Sequence, residues 1–474
     1  MPKFDPIKLF KFAQSHIPAY QKLLRKNKIN PAQIKTLGDF LYLPITEKKS
    51  YIYKNKTSDL FSMNTPPMIY ASSGSSGKPT FWFRGDKQEL HGADLHERIF
   101  SKIFGIKKSD KTLVVICFSM GVWIAGNFTL ACCRELSRRG YNISVVSPGV
   151  EMEDIMSSLS NIAPLFKKVV LAGYPPFLMN VAVEARKRKI KLAPDIKAIT
   201  AGDKFSETWR NDFLATLGIK NKTSIVSIYG SADAGPMAHE TPLSIFLRNE
   251  SLKNKKLYNE LFGDAKTLPG LVQYDSGQIF FEEIDGELVL TADTAIPLIR
   301  YNIHDTGRII HFKEIKKIIS RAGLTDKISR LGLSNWQMPF LTLKGRTDVA
   351  VTFYAINIFP ENISSAIKNK NVSGLLTGNY RAYNTTAGKS RFQKLIIELE
   401  PAGEIKNHAK TAGLISKTVH SELVRSSIEF RKLNDMLGEK SMPVILLKKF
   451  DGSSSKQKNG PTLIALAGKK PRLT

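Results

Sequence analysis

The sequence has little cysteine and too few acidic residues to balance its lysines and arginines. Its three cysteines, Cys117, Cys132 and Cys133, are an odd number in a chain of 474 residues and show no metal-ligand spacing. A disulfide framework and a structural zinc site are therefore excluded as organising features. The first residues, Met1–Asp5, also lack the apolar core of a secretory signal. We expect a reduced protein of the cytoplasm.

Long apolar runs are almost absent too, with one exception. Residues Thr112–Cys133 carry no charge and are long enough to cross a bilayer. Ser119–Gly121 interrupts this stretch and separates a β-branched run, Leu113–Ile116, from a segment that continues into charged residues. A buried strand followed by a helix accounts for this composition. We therefore predict no integral membrane association.

Negative charge is scarce, because 70 lysines and arginines stand against 42 aspartates and glutamates and give a formal net charge of +28. Such an excess suits nucleic acid, an anionic membrane surface or an acidic protein partner. The basic residues are spread along the chain, and no zinc-finger spacing, heptad repeat or aromatic RNA-binding motif accompanies them. The sequence therefore disfavours nucleic acid and leaves an acidic protein partner open.

The hydrophobic pattern predicts more than one domain, because 474 residues exceed the size at which a single core stops growing. The first fifty residues read as helical, and β-rich runs then alternate with amphipathic segments to about residue 345. An Asp285-Gly286 turn between two apolar runs predicts a hairpin. We predict an α/β fold with a large N-terminal domain, 1–345, of α/β sheets plus a β-rich subdomain, and a small α+β C-terminal domain, 346–474.

The segment Ser72–Thr80 combines small hydroxyl residues, two glycines and a lysine, which is the composition of a phosphate-binding loop. It is not a Walker A motif, because only Ser75 and Ser76 separate its two glycines and a proline follows Lys78. Aromatic and β-branched residues on both sides favour a loop between two strands. An ordinary Ser/Gly surface turn is the alternative.

Three further motifs follow this loop along the chain. They are Ser227–Asp233, with the sequence SIYGSAD, Pro297–Asp305, with the sequence PLIRYNIHD, and Gly345–Asp348, with the sequence GRTD. Together with the loop, their order and spacing resemble the adenylate-forming (acyl- and aryl-CoA synthetase) superfamily, and within it the phenylacetate-CoA ligase-like branch. The segments Leu43–Lys48 and Ile356–Glu361 resemble the same family, so the resemblance covers nearly the whole chain.

The resemblance implies ATP-dependent activation of a carboxylic acid, with the following roles. The loop would clamp the phosphates of ATP through Ser73, Gly74, Ser75, Ser76, Gly77 and Lys78. Tyr229 and Gly230 would border the adenine, Asp305 would accept from the ribose hydroxyls, and Arg346 would reach phosphate or ribose. Asp348 would be the hinge about which the small domain rotates. The catalytic set would be Lys469, Lys78 and Arg346.

Two of these residues also have ordinary structural explanations. Asp305 is also explained as a turn residue before Gly307, and Arg346 as a member of a surface ion pair. For the carboxylate-contacting lysine, the tail offers Lys469, which matches the family's closing pattern, with Lys456, Lys458 and Lys470 as rivals.

Two positions depart from the family pattern. Asp233 stands where the family has a magnesium-binding glutamate, and an aspartate still ligates the ion with a shorter arm. Ala355 stands where a glycine is usual, in a region that lines the pantetheine tunnel of the family. This second departure weakens the expectation that coenzyme A is the acceptor.

We therefore predict an acid-thiol ligase (AMP-forming) that uses ATP and Mg²⁺, with coenzyme A as co-substrate. The nearest alternative transfers the acyl group to the phosphopantetheine of an acidic carrier protein, which the basic surface would suit. A different class remains open as well: a non-catalytic nucleotide- or nucleic-acid-binding descendant of the fold. The sequence also leaves an oligomer open.

Overall fold

The protein is represented by a computed structural model that describes residues 4–62, 68–72, 80–193, 195–265, 268–346, 351–354, 356–358, 360–386 and 393–449. The described residues form two compact units. The first consists of those up to Ala71 and of Phe81–Gly345. The second begins at Arg346 and also includes Ser72 and Thr80.

Fourteen strands occur along the described chain as far as Arg346. They are β1 Thr46–Glu47, β2 Met68–Ser72, β3 Thr80–Arg84, β4 Thr112–Cys117, β5 Ile143–Val146, β6 Lys168–Gly173, β7 Asp195–Thr200, β8 Ile225–Ser231, β9 Gly235–His239, β10 Gly270–Tyr274, β11 Ile279–Ile284, β12 Glu287–Ala292, β13 Leu298–Ile310 and β14 Phe340–Arg346.

Twelve α-helices surround these strands in the described part of the first unit. They are α1 Pro6–His16, α2 Pro18–Lys26, α3 Leu37–Phe40, α4 Asp86–Glu97, α5 Ile124–Arg138, α6 Met152–Ser157, α7 Pro175–Lys187, α8 Glu207–Thr216, α9 Pro242–Ser251, α10 Lys255–Phe262, α11 Phe312–Arg321 and α12 Thr325–Arg330.

One large mixed sheet carries most of these strands, in the order β11-β12-β13-β14-β10-β9-β8-β7-β6-β4-β5, with β1 added beside β13. The half from β8 to β5 is parallel, and the pairings of β8 with β9, β9 with β10 and β10 with β14 are antiparallel. The alternation of β-rich and amphipathic segments in the sequence predicts an α/β fold, and the structure has that fold.

The parallel strands are buried on both faces. In β4, Val114 and Ile116 belong to one hydrophobic core while Leu113 and Val115 belong to another. Successive side chains of a strand point to opposite faces, so a continuous apolar run serves two cores at once. This explains the uncharged stretch that begins at Thr112: it is β4 followed by α5. Within the described residues, no helix is long and apolar enough to cross a membrane.

The hairpin prediction is confirmed. β11 and β12 pair antiparallel around Asp285 and Gly286, which both have positive φ, of 52° and 78°. This left-handed pair is the geometry that a tight two-residue hairpin turn needs, and it explains the Asp-Gly sequence. The two strands that flank the predicted phosphate loop, β2 and β3, also pair with each other.

The second unit is a small α+β structure. It contains a hairpin of β15 Val351–Phe353 and β16 Ile356–Ile358, and a sheet of β17 Leu376–Thr386, β18 Gln393–Pro401 and β19 Val444–Leu447, with helices α13 Pro360–Ile367, α14 His408–Ser426 and α15 Ile428–Leu437. In the three-stranded sheet, β17 and β18 are antiparallel while β18 and β19 are parallel. A large α/β part and a small α+β part agree with the predicted fold class.

Candidate active site

Five of the residues predicted to form the site are described: Tyr229, Gly230, Asp233, Asp305 and Arg346. The remaining predicted residues lie outside the described part of the chain, and their roles stay predictions. They are Ser73, Gly74, Ser75, Ser76, Gly77 and Lys78 of the loop, the hinge residue Asp348, and Lys469 of the tail.

The Tyr-Gly motif ends strand β8 at a point where the backbone of β9 comes very close. A Cβ atom on Gly230 would lie 2.7 Å from the carbonyl oxygen of Gly235, a distance that real side chains do not adopt. The register of the two strands also shifts between Tyr229 and Gly230. Glycine is therefore required here by the strand contact, and this bulge aims Tyr229 out of the ladder.

Two hydrogen bonds join the end of β8 to the middle of β13. The Tyr229 hydroxyl donates to Oδ2 of Asp305, and the Tyr301 hydroxyl donates to Oδ2 of Asp233 at 2.6 Å. Three strands, β9, β10 and β14, separate β8 from β13 in the sheet order. The sheet must therefore curl until these two motif strands face one another. This curl brings Tyr229, predicted to contact the adenine, into direct contact with Asp305, predicted to contact the ribose.

A buried arginine supports the segment after β8 from below. The Arg84 side chain is 1% exposed and donates to the carbonyl oxygens of Asp233, at 3.0 Å, and Ala232. A third bond goes to the carbonyl oxygen of Phe83 at 2.9 Å. Burial lowers the pKa of Arg84 to about 10, against the opposing effect of Asp233. The guanidinium stays charged at neutral pH and fixes the backbone at Ala232 and Asp233.

Both oxygens of the Asp233 carboxylate face protein groups. Oδ2 accepts from Tyr301, and Oδ1 lies 3.6 Å from the Lys48 ammonium. A Mg²⁺ ion bound directly there would have to sit beside an ammonium and displace a hydroxyl. As placed here, the Asp233 carboxylate does not fit a direct bond to magnesium, and its predicted metal role stays a prediction.

The arginine of the Pro-Leu-Ile-Arg-Tyr motif lies inside the protein. Arg300 donates to Glu282 at 2.9 to 3.2 Å through two nitrogens and to the carbonyl oxygen of Leu43. Both charged side chains are buried, at 7% and 9% exposure. Burial raises the pKa of Glu282, and the charge of Arg300 opposes that rise. This pair ties β13 to β11 and to the chain before β1, so its role is to position the motif strand.

His304, next to Asp305, adopts a left-handed backbone with φ of 64°. Its Nε2 lies 2.9 Å from Oε2 of Glu47, and its backbone N–H donates to Oδ1 of Asn302 at 2.7 Å. These contacts hold the turn of β13 that presents Asp305. The sequence prediction gave His304 no role in the chemistry, and its observed partners assign it a structural one.

A fully buried charge network anchors the other end of β8. Arg210 donates to Oε2 of Glu207 at 2.9 Å, to Oε1 of Glu240 at 2.6 Å and to the carbonyl oxygen of Ile225 at 2.7 Å. Glu240 in turn accepts from the backbone N–H of Ser227 at 3.0 Å. The network therefore connects β8, just before its Tyr-Gly motif, to the residue that follows β9 and holds both in place.

The last predicted residue, Arg346, closes strand β14 and opens the second unit. The two carbonyl groups before it are each held within the first unit. Lys204 donates to the Lys344 oxygen at 2.7 Å, and Thr306 donates to the Gly345 oxygen at 3.1 Å. The chain is therefore fixed immediately ahead of the predicted hinge.

Sequence reasoning missed Lys48 and Arg84 as members of the site. Lys48 had a usable signal, because it closes the segment Leu43–Lys48 that resembles the family. Arg84 had none, since a single arginine after an aromatic strand carries no pattern of its own.

The comparisons with known proteins give distant but long matches. No protein-family model matches the chain. It is 22% identical over 417 residues to the phenylacetate-coenzyme A ligase of Aromatoleum evansii, which covers 87% of this chain and 84% of that protein. It is 23% identical over 371 residues to the enzyme of the same name from Thermus thermophilus, with 76% of this chain and 73% of that protein covered.

Among solved structures, the chain resembles 2-hydroxyisobutyryl-CoA ligase in complex with 2-HIB-AMP and CoA in the thioesterification state. The TM-score is 0.61 with 18% identity, and the match covers 97% of this chain and 87% of the other. The same ligase in its postadenylation state gives a TM-score of 0.52 with 16% identity over 96% of this chain and 86% of that one. The likeness to these structures establishes the fold.

Proposed function

We propose that this member of the adenylate-forming superfamily, a distant relative of the phenylacetate-coenzyme A ligases, is an AMP-forming acid-thiol ligase. It activates a carboxylic acid with ATP and transfers the acyl or aryl group to a thiol. ATP and Mg²⁺ are the cofactors of this superfamily, and coenzyme A is the co-substrate of its acid-CoA ligases. The long matches to two such ligases support this assignment.

The observation that carries the proposal is the meeting of β8 and β13. Tyr229 and Asp305 are 76 residues apart in the chain and share a hydrogen bond, and Asp233 and Tyr301 share another. An adenosine needs a flat surface for its base and an acceptor for its ribose hydroxyls. Tyr229 supplies the ring and Asp305 the carboxylate, a group that accepts hydrogen bonds from both hydroxyls. Their bond holds the two groups in a fixed relation.

The chemistry proceeds in two steps. An oxygen of the substrate carboxylate attacks the α-phosphorus of ATP, the new oxygen–phosphorus bond forms, and the bond to pyrophosphate breaks. In the second step the thiol loses its proton to solvent and its sulfur bonds to the acyl carbon of the adenylate. The bond from that carbon to the AMP oxygen breaks, and AMP leaves with the electron pair. The protein accelerates the first step by holding the reactants in line and by placing positive charge at the phosphates.

The loop and the tail complete the proposal. The loop hydroxyls and Lys78 grip the outgoing pyrophosphate, and Lys469 contacts the carboxylate oxygen. Arg346 reaches phosphate or ribose. Mg²⁺ accompanies the ATP phosphates with its own water ligands, and nothing in this account requires a protein ligand for it.

We assign the adenylation step to residues 1–345 and a rotating role about Asp348 to residues 346–474. The two anchored carbonyls before Arg346 support a pivot at this point, because motion is easiest where a firmly held strand ends. A cytoplasmic setting belongs to the proposal too. It is supported by the three cysteines, which are buried and unpaired, as in proteins kept reduced.

The proposal is less specific about the acceptor thiol than about the adenylation step. Coenzyme A is favoured by the relatives, whereas the net charge of +28 favours an acidic carrier protein that presents phosphopantetheine. Both acceptors follow the same adenylate, so a single assay with both thiols separates them.

The test is carboxylate-dependent exchange of labelled pyrophosphate into ATP with a panel of aryl, fatty and amino acids. Hydroxamate trapping identifies the acid, and coenzyme A and carrier proteins are then compared as acceptors. We expect exchange with at least one acid and its loss in Lys78→Ala without loss of folding. Lys54→Ala, at an exposed lysine, is the matched control.

No exchange with any acid would refute the adenylation claim. If salt-sensitive binding to random DNA accompanied that result, the non-catalytic descendant would be the better account. Normal kinetics of Lys78→Ala would remove the phosphate clamp from the loop.

A further inference from the structure

We propose that Lys48 supplies the fixed positive charge for the α-phosphate of ATP, and that Asp233 holds this lysine in place instead of ligating magnesium. The inference rests on the proposed function and adds a catalytic residue to it. It starts from three features: the partners of Asp233, the placement of Lys48 directly after strand β1, and the aromatic ring beneath its ammonium.

The Lys48 ammonium is placed by two different contacts. It lies 3.6 Å from Oδ1 of Asp233 and 5.2 Å from the ring centroid of Trp82. The Trp82 side chain is fully buried, so the ring is a rigid surface under the cation. A cation above an indole face is stabilised by the ring quadrupole, most strongly where water is scarce. The lysine is therefore a prepositioned charge and not a freely moving side chain.

The backbone ahead of Lys48 is also fixed to the motif strand. In β1, Thr46 is paired with Tyr301 and Glu47 with Asn302 of β13. The Thr46 hydroxyl donates to the carbonyl oxygen of Ile299 at 2.8 Å. Lys48 follows directly, so its position is set relative to the strand that carries both Tyr301 and Asp305.

The side chain remains accessible to a ligand. Lys48 is 25% exposed and Asp233 is 13% exposed. This contrasts with ion pairs that serve only the core, such as that between Arg210 and Glu207, whose side chains are 0% and 4% exposed. A half-buried ammonium over an aromatic ring has already lost part of its hydration in the folded protein. Binding an anion therefore costs little further desolvation, and the attraction is strong.

The order of the groups matches the order of atoms in a nucleotide. Tyr229 and Asp305 mark the base and ribose end. Asp233 lies four residues after Tyr229, Tyr301 lies four residues before Asp305, and these two residues bond to each other. Lys48 contacts Asp233, so its ammonium belongs to the same group of side chains as the two bonds. A nucleotide whose ribose hydroxyls donate to Asp305 would find in this group a cation for its nearest phosphate.

The charge balance at Asp233 supports the same assignment. Arg84 lies beneath the segment and bonds to the Asp233 carbonyl, while Lys48 and Tyr301 occupy the carboxylate. The Lys48 ammonium attracts a negatively charged phosphate, and by the same Coulomb interaction it repels a metal cation at the Asp233 carboxylate.

The test measures pyrophosphate exchange and nucleotide binding in the full chain. Lys48→Met keeps the aliphatic stem over Trp82 and removes the charge. Because one preorganised charge contributes about 100- to 1,000-fold to kcat in comparable sites, we expect a loss of that size with a change in KM for ATP of less than about 3-fold. Lys48→Arg should recover part of the rate, and ethylammonium should rescue Lys48→Ala, which leaves space for it, in a saturable manner. Lys54→Met is the control.

Two readouts separate this role from a structural one. Without magnesium, the wild-type protein should bind AMP more tightly than adenosine, and Lys48→Met should lose most of that preference. Asp233→Asn should lower kcat without changing the magnesium concentration that half-saturates the rate. The inference is overturned by wild-type kcat in Lys48→Met, by an unchanged preference for AMP, or by a 10-fold higher magnesium requirement in Asp233→Asn.

The binding readout keeps the inference distinct from the proposed function. If the wild-type protein fails to exchange pyrophosphate with every acid, the proposed function fails. The preference for AMP over adenosine then still decides whether Lys48 binds a phosphate.

Discussion

Two ion pairs flank strand β8, and they are built in opposite ways. At its start, Arg210 and Glu207 are 0% and 4% exposed, and Glu240 and Arg248 complete a network of short bonds. At its end, Lys48 and Asp233 are 25% and 13% exposed and 3.6 Å apart. The first arrangement is buried with short bonds, and the second is longer and partly exposed. A buried network fixes a backbone, whereas a longer and partly exposed pair is able to exchange one partner for a ligand.

The largest expected effect is loss of the buried network. Arg210→Met leaves Glu207 and Glu240 buried without their main cation, so we expect the free energy of unfolding to fall by about 3 to 5 kcal/mol. Urea denaturation followed by circular dichroism measures this. Arg188, which pairs with Glu153 and Glu184 at the surface, provides the control Arg188→Met, with no measurable shift of the midpoint. An equal shift in both variants would contradict the contrast.

A neutral buried group beside the network gives the next effect. Burial lowers the pKa of His239 to about 4, and its Nδ1 lies 2.7 Å from the Glu240 carbonyl oxygen. Between about pH 6.5 and pH 4 the unfolded chain binds a proton at this histidine that the folded chain does not. Stability therefore falls as pH drops through that window, by roughly 3 kcal/mol in total.

The measurement compares urea unfolding of the wild-type protein and His239→Gln at pH 8, 6 and 4.5. The variant lacks this proton linkage, so the stability difference between the two proteins should shift in favour of the variant as pH falls. Parallel curves at all three pH values would show that His239 does not titrate as inferred.

The smallest effects belong to the site end of the strand. Asp305→Asn replaces a charged acceptor of the ribose hydroxyls, so we expect AMP to bind about 10- to 100-fold more weakly. Tyr229→Phe keeps the ring and loses only its bond to Asp305, so a weakening of about 2- to 10-fold is expected. Isothermal titration calorimetry with AMP gives both values, and unfolding curves check that folding is intact. A larger loss in Tyr229→Phe than in Asp305→Asn would reverse the assigned roles.

Local pattern was sufficient for most of the first unit. The β-branched run Leu113–Ile116 predicted a strand, and the structure has β4 over Thr112–Cys117. The Asp285-Gly286 turn predicted the β11–β12 hairpin. These predictions succeed because periodicity, turn residues and burial act over a few neighbouring positions.

The site was only partly predictable. Tyr229, Gly230 and Asp305 were named from motifs, and the structure places Tyr229 and Asp305 in contact. Lys48 was not named, although it closes a segment that resembles the family, and Arg84 was not named because its role depends on a partner far away in the chain. The bond from Arg84 to the Asp233 carbonyl spans 149 residues, and no local pattern encodes such a pairing.

The sequence by itself determined which segments become strands and helices, and it placed the motifs in an order that resembles one superfamily. The tertiary structure alone decided that β8 and β13, which three other strands separate in the sheet, face one another. It also decided that the Asp233 carboxylate meets a lysine and a tyrosine. The physical reason is that strand formation depends on near neighbours, whereas the curl of the sheet depends on how all its strands pack together.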